Sequence, residues 1–185
     1  GPPGTGKSEY GKFLAKQLNQ KILYKRASDL TSMWVGQTEK LIAEAFKQAT
    51  DEKKILLIDE GDSFLRDRNL SKNSWETTMV NEMLSQMEML GCTFILTTNL
   101  MDNLDAAALR RFTFKIKFDY LRKDQLKDCF FHYFGSEAPD KILKLDKMAP
   151  GDFAAIKNNV DIMDITDPNE ICQMLIEEQA LKEPH

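Results

Sequence analysis

The hydrophobic positions of the 185-residue chain change their spacing near residue 120. Before that point, short apolar runs alternate with stretches of helical periodicity, which is the pattern of an α/β layer. After it, only helical spacing remains, in the segments 121–134, 140–145, 151–159 and 168–181. We therefore predict an α/β core over residues 1–118 and a small helical subdomain over residues 119–185.

The first part contains apolar-rich runs that predict strands at 22–26, 55–58, 93–97 and 113–118. Helical spacing precedes the first of these runs at 8–18 and lies between them at 39–49 and 75–90, with a helical turn at 105–109. The run Ile55–Ile58 is continuously apolar, as expected for a central parallel strand that is buried on both faces. Asp59 and Glu60 follow it, at the strand end where open α/β sheets bind their ligands.

The first eight residues match the pattern Gly-x-x-x-x-Gly-Lys-Ser/Thr, which is a phosphate-binding P-loop. Gly4 and Gly6 permit backbone torsions or close approaches that a Cβ would block. Lys7 can reach the terminal phosphates, and the Ser8 hydroxyl can bind Mg²⁺. The predicted helix after the loop directs its positive end toward the anion.

Hydrolysis of a phosphoanhydride needs a phosphate cradle, a metal and a group that orients or deprotonates water. Asp59 is predicted to hold Mg²⁺ with Ser8, directly or through water, and Glu60 to activate the attacking water. Asn99, after the predicted strand 93–97, can contact the γ-phosphate or water, although an asparagine there can also simply form a turn. Arg110 and Arg111 are either a solvated pair or a source of charge for the transition state.

Composition narrows the class of protein. A net charge of -4 and a pI near 5.3 argue against a strongly basic nucleic-acid-binding surface. The three cysteines are widely spaced in apolar surroundings, which favours buried free thiols in a reducing cytosol. No apolar run reaches membrane-spanning length. We expect a cytoplasmic protein without a membrane segment and without nucleic acid as a partner.

Several motifs in order resemble the AAA+ ATPases, specifically the AAA clade of microtubule-severing enzymes, membrane-protein remodellers and membrane-bound proteases. The resemblance extends over nearly the whole chain and is strongest over 1–118. The motifs that carry it are Gly1–Ser8, Ala27–Leu30, Trp34–Lys40, Ile55–Glu60, Asn81–Met87, Thr97–Asn99 and Leu109–Phe112.

The resemblance implies a P-loop NTPase parallel sheet flanked by helices and followed by a small α-helical lid, with ATP and Mg²⁺ as cofactors. It implies nucleotide binding by Gly1, Pro2, Pro3, Gly4, Thr5, Gly6, Lys7, Ser8 and Glu9, and metal binding by Ser8 and Asp59. The implied catalytic residues are Lys7, Asp59, Glu60, Asn99, Arg110 and Arg111, the two arginines acting on a neighbouring subunit of a ring, usually a hexamer. Trp34, Val35 and Gly36 correspond to an aromatic pore loop that grips a polypeptide substrate; the alternative is that Trp34 belongs to the core.

The chain departs from the family pattern at four places. Gly61 replaces a small apolar residue and could loosen the loop behind Glu60, and Phe114 replaces a basic residue. No arginine follows Pro150–Phe153, so no second sensor is assigned. Family members have a strand before the P-loop, and we expect the sheet here to lack this first strand. The isolated chain is therefore expected to bind nucleotide weakly and to be inactive or mostly monomeric.

These features favour an ATPase of a ring-forming protein remodeller or unfoldase. An ATP-dependent assembly module with little hydrolysis of its own remains an alternative, because of Gly61 and the absent second sensor. A nucleic-acid-associated ATPase is a third possibility, which the acidic balance and the Trp-Val-Gly segment disfavour.

Overall fold

The computed structural model describes residues 1–34, 36–66, 74–100 and 104–182. The chain divides into two compact units. The first comprises Gly1 and Lys7–Lys117, and the second comprises Pro2–Gly6 together with the residues from Phe118 onward.

The first unit contains a parallel sheet of three strands in the order β1-β2-β3. They are β1 (Ile22–Arg26), β2 (Ile55–Asp59) and β3 (Phe94–Leu96). The four apolar side chains at the start of β2 are completely buried, as the continuous apolar run predicts. The buried strand therefore holds Asp59 in a fixed position at the carboxyl edge of the sheet.

Helices flank this sheet and confirm the predicted fold class. They are α1 (Lys7–Gln17), α2 (Gln37–Asp51), α3 (Ser74–Glu88) and α4 (Ala106–Arg111), with short 3-10 helices at Ala27–Leu30 and Gly61–Leu65. The apolar faces of α2 and α3 form one buried core with β2. Its members include Ile42, Phe46, Leu56, Ile58, Phe64 and Met83.

The predicted strand at 113–118 is wrong. The residues of this segment lie outside the sheet, and Phe114 and Ile116 are 82% and 59% exposed. Alternation of apolar and polar residues describes a strand only when a neighbouring strand supplies hydrogen-bond partners and a covering layer. In the described part of the chain β3 pairs with β2 and with no other strand, so 113–118 has no ladder to join.

Gly61 has a packing role that differs from the looseness expected from sequence. It is buried, and a Cβ built on it would lie 2.6 Å from Leu96 Cδ1 and 2.7 Å from Leu96 Cγ. Its N–H donates to the carbonyl oxygen of Thr97 at 2.9 Å. The absence of a side chain at 61 therefore lets the Leu96 side chain occupy the space behind the end of β2.

The second unit is helical, as predicted. It contains α5 (Lys123–Phe134), a 3-10 helix (Asp140–Lys144), α6 (Pro150–Met163) and α7 (Pro168–Ala180). Asp167 caps α7 by accepting a hydrogen bond from the Asn169 N–H at 3.0 Å. The core includes Leu126, Phe130, Ile142, Met148, Phe153, Ile156, Cys172 and Leu175.

The residues Pro2–Gly6 of the second unit lie against the start of α6. The Gly151 N–H donates to the Gly4 carbonyl oxygen at 2.9 Å. A Cβ built on Gly151 would lie 2.9 Å from the Gly4 Cα, closer than real Cβ contacts. Glycine is therefore needed at 151 so that the two backbones can approach.

The three cysteines are free, in agreement with the sequence prediction. Cys172 is buried, whereas Cys92 and Cys129 are half-buried. Burial, with a smaller contribution from the charge of Asp152, raises the pKa of the Cys129 thiol to about 12. Within the described ranges, no helix is both long and apolar enough to cross a lipid bilayer.

We expect Cys129 to resist alkylation in the folded protein. Because the thiolate is the reactive form, iodoacetamide at pH 8 should modify Cys129 more than about a hundredfold more slowly than free cysteine. Peptide mass spectrometry over a time course measures the rate, and the denatured protein serves as the control in which the burial is removed. Comparable rates for Cys129 in the folded and denatured protein would contradict this expectation.

We expect Gly61→Ala to lower the free energy of unfolding by about 1–3 kcal/mol, because the new methyl group overpacks against Leu96. Introducing the same change into a Leu96→Ala background should be close to neutral, because the shorter side chain leaves room for it. Urea unfolding of the wild type, both single variants and the double variant measures this coupling. An equal loss of stability in both backgrounds would show that the two residues do not share this space.

Candidate functional site

The two glycines of the P-loop have left-handed backbone torsions. Gly4 has φ of 73° and Gly6 has φ of 91°. A Cβ on Gly6 would meet nothing within 4 Å, and a Cβ on Gly4 would make only ordinary contacts, the nearest at 3.5 Å. Both glycines are therefore required for their torsions and not for space among the protein's own atoms. Thr5 is buried, and its hydroxyl donates to the Pro2 carbonyl oxygen at 2.8 Å.

Lys7 begins α1, and its ammonium group lies near two carboxylates. Its Nζ donates to the Gly1 carbonyl oxygen at 2.7 Å. Burial lowers the pKa of Lys7, while the negative charges of Asp59 and Asp62 oppose that shift. The two negative charges thus favour the protonated, cationic form of the lysine, which is the form that binds phosphate.

Asp59 accepts hydrogen bonds from three side-chain hydroxyl groups. Ser8 Oγ donates to Oδ1 at 2.8 Å, Tyr24 donates its phenolic hydrogen to Oδ2 at 2.7 Å, and the Thr97 hydroxyl also donates to Oδ1. Burial pushes the pKa of Asp59 upward, but the hydrogen bonds from Thr97, Tyr24 and Ser8 outweigh it, so the pKa lies below its ordinary value. The carboxylate is therefore ionised at neutral pH.

Glu60 follows β2 with an exposed side chain and a left-handed backbone, with φ of 57° and ψ of 39°. Its N–H donates to Thr97 Oγ1 at 3.1 Å. A residue other than glycine in this conformation is held there by its surroundings, and such residues cluster at functional sites. Thr97 thus supports both acidic residues, Asp59 through its hydroxyl hydrogen and Glu60 through its hydroxyl oxygen.

Asn99 lies just beyond β3 and is half-buried. Its backbone N–H donates to Asp62 Oδ1 at 3.0 Å. Asp62 and Tyr24 belong to this site as well, although neither is predicted from the sequence. Asp62 could have been noticed as a carboxylate three residues after Asp59, whereas nothing local distinguishes Tyr24 from any other tyrosine on a strand.

The two arginines at the end of α4 have different surroundings. Arg111 forms an ion pair with Glu88 and donates to the Ala107 carbonyl oxygen at 2.9 Å. Arg110 is exposed. Asp105 caps α4 by accepting hydrogen bonds from two backbone N–H groups. This cap fixes the start of the short helix that ends with the two arginines.

Trp34 is 75% exposed and the preceding Met33 is 97% exposed, so the alternative of a core tryptophan is wrong. The Ser32 N–H donates to Thr38 Oγ1 at 3.0 Å, and the Trp34 N–H donates to Ser32 Oγ at 3.2 Å. Gly36, with φ of 77°, precedes α2. Val35 lies outside the described residues. These bonds hold a short turn that presents Trp34 and Met33 to solvent.

Ser8 and Asp59 offer a hydroxyl and a carboxylate oxygen side by side, which suits Mg²⁺, an ion that prefers oxygen ligands. Magnesium commonly takes one or two protein ligands and fills its shell with water and phosphate oxygens. Over the described ranges, there is no group of three or more His, Cys, Asp or Glu residues that could hold a metal ion without such help. The donor set therefore fits a magnesium ion that binds together with a phosphate ligand.

The amino-acid sequence is similar to those of several known proteins. The chain is 38% identical to human vacuolar protein sorting-associated protein 4A over 123 residues, covering 63% of the chain and 28% of that protein. It is 38% identical to Drosophila melanogaster fidgetin-like protein 1, covering 60% of the chain and 23% of that protein. It is 31% identical to the Danio rerio outer mitochondrial transmembrane helix translocase, covering 80% of the chain and 43% of that protein.

The chain thus spans less than half the length of each of these relatives. Residues 1–120 match the sequence profile of the ATPase family associated with various cellular activities. This match includes the P-loop, Asp59, Glu60, Asn99 and both arginines, and it covers well over half of the chain. The protein therefore belongs to the AAA family of ATPases.

Proposed function

We propose that this protein binds ATP with Mg²⁺, hydrolyses the ATP, and uses the cycle to remodel or unfold a polypeptide. The observation that carries the proposal is the hydrogen bond between Ser8 and Asp59, which joins the helix after the P-loop to the end of β2. It brings Ser8, the last residue of the phosphate-binding motif, beside an ionised carboxylate, with Glu60 as the next residue. Few other activities need these groups together.

The P-loop and Lys7 bind the phosphates of ATP in this proposal. Ser8 and Asp59 hold the magnesium ion, which when bound gathers the negative charge of the phosphates. The Lys7 ammonium contributes positive charge from the first turn of α1, where the helix dipole also favours an anion. Glu9 follows Ser8 in the same turn and is paired with Lys12 at 2.6 Å.

Glu60 orients and deprotonates the attacking water. Its carboxylate is exposed at the end of β2, while the hydrogen bonds of Thr97 to residues 59, 60 and 61 hold the backbone beside it. Asn99 assists by positioning the water or the γ-phosphate. Such groups act through geometry, so the rigidity of their backbone supports catalysis directly.

Self-association into a ring, a hexamer as is usual in this family, completes the proposed site. An arginine from the neighbouring subunit then stabilises charge in the transition state. Arg110 is the better candidate, because it is exposed, whereas Arg111 is engaged with Glu88 and Ala107 of its own subunit. Arg111, the last residue of α4, has a positioning role, because its contacts with Glu88 and Ala107 hold the end of the helix that carries Arg110.

The exposed turn with Trp34 is the proposed substrate-gripping loop. An exposed aromatic side chain beside a glycine can contact many polypeptide side chains without sequence selectivity. The name of one relative, an outer mitochondrial transmembrane helix translocase, describes movement of a polypeptide segment and supports a protein substrate. The free cysteines support a reducing compartment such as the cytoplasm.

Replacing Glu60 with glutamine tests the catalytic assignment. Glu60→Gln should slow ATP hydrolysis at least about a hundredfold, because the amide cannot accept a proton from water, while ATP binding remains. Steady-state phosphate release and equilibrium binding of a fluorescent ATP analogue, both with the assembled protein, measure the two effects. Glu44→Gln, which changes an exposed glutamate on α2, is the matched control and should hydrolyse ATP normally. An unchanged rate for Glu60→Gln would refute the role given to Glu60.

Replacing Trp34 with alanine tests the substrate-gripping loop. Trp34→Ala should weaken binding of a permanently unfolded polypeptide by about tenfold or more in the assembled protein, because the aromatic contact is lost. Fluorescence anisotropy of a labelled polypeptide measures this effect, and ATP hydrolysis without substrate should change by less than about twofold. Trp75→Ala removes another exposed tryptophan, 58% accessible on α3, as the control. Equal losses in the two variants would exclude a special role for Trp34.

A further inference from the structure

The carboxylate of Asp62 binds the turn that contains Asn99. Asp62 Oδ1 accepts hydrogen bonds from the Asn99 N–H at 3.0 Å, from the Leu100 N–H at 3.3 Å and from the Thr98 hydroxyl. Three donors thus meet on one oxygen of an acidic residue. Hydrogen bonds to an ionised acceptor are stronger than those between neutral groups, so this contact fixes the turn after β3.

The turn also makes bonds within itself. The Leu100 N–H donates to Thr98 Oγ1 at 3.1 Å. That local contact resembles an ordinary turn formed by a threonine. It does not connect the turn to the segment after β2, however, and Asp62 makes that connection. The turn has one further contact with the first unit, in which the Gly1 ammonium donates to the Thr98 carbonyl oxygen at 3.2 Å.

Asp62 lies two residues after Glu60, in the 3-10 helix Gly61–Leu65. This helix is anchored independently of Asp62, because Phe64 and Leu65 are buried and the Leu65 carbonyl oxygen accepts from the Asp105 N–H at 2.7 Å. Loss of the Asp62 carboxylate should therefore free the 98–100 turn without unfolding the segment that contains Glu60.

We propose that Asp62 is a positioning residue for ATP hydrolysis, which holds Asn99 at a fixed distance from Glu60 by binding the backbone on both sides of the Asn99 side chain. The inference rests on the proposed function, since it assigns a role to Asp62 through Asn99. The residue itself contacts neither water nor phosphate in this scheme.

The test is a double-mutant cycle on Asp62 and Asn99 in the assembled protein. Asp62→Ala should lower kcat about tenfold or more with KM for ATP changed by less than about twofold, because a misplaced Asn99 affects the transition state more than substrate binding. In an Asn99→Ala background, Asp62→Ala should change kcat by less than about twofold, because the residue through which it acts is already gone. Multiplicative losses, or an unchanged kcat in Asp62→Ala, would overturn the proposal.

Two further measurements separate positioning from folding. Hydrogen exchange at the Asn99 and Leu100 amides should accelerate in Asp62→Ala, while the buried β2 amides stay protected. Asp62→Asn keeps an acceptor oxygen and should retain part of the activity, so it preserves the test if the alanine variant folds poorly. Unchanged exchange at both amides would overturn the proposal.

Asp167→Asn is the matched control. It changes another carboxylate that accepts from a backbone N–H, at the start of α7 in the second unit, and kcat should not change. The outcomes also distinguish this inference from the proposed function. If Glu60→Gln hydrolyses ATP normally, the proposed function fails; if it is inactive while Asp62→Ala retains full kcat, only the role of Asp62 fails.

Discussion

The Asp59 carboxylate at the end of the buried strand β2 needs hydrogen-bond donors, and this need organises the first unit. An ionised carboxylate beside a fully apolar strand is costly unless hydrogen-bond donors surround it. Asp59 obtains donors from α1 through Ser8, from β1 through Tyr24, and from the end of β3 through Thr97. The carboxylate therefore connects the start of α1, the middle of β1 and the residue after β3. The conformation of Glu60 follows from this arrangement, since its N–H is held by the same threonine.

Features that depend on local sequence could be predicted. The continuous apolar run of β2 is typical of a buried parallel strand, and the helical periodicities predicted α1 to α7 of the described residues to within a few residues at each end. The 3-10 helix Gly61–Leu65 was not predicted. The P-loop is equally local, because its glycines are required by torsions of their own backbone. Asp59 and Glu60 could be assigned because their place at the strand end follows from that strand alone.

Features that depend on partners distant in the chain could not be predicted. Alternation at 113–118 describes side chains and says nothing about whether a neighbouring strand is available. The exposure of Trp34 and the ion pair of Arg111 depend on which surfaces the rest of the fold covers. The bond of Tyr24 to Asp59 depends on the pairing of β1 with β2, which joins residues more than thirty positions apart.

The fit between Gly61 and Leu96 has a consequence for how this sequence can change over time. Position 61 is one where AAA proteins usually carry a small apolar residue, yet here the Leu96 side chain occupies the space that such a residue needs. A side chain at 61 therefore costs less stability once the side chain at 96 has become smaller, so the order of the two substitutions matters. The glycine next to the proposed catalytic glutamate is thus one half of a packed pair whose other half is Leu96.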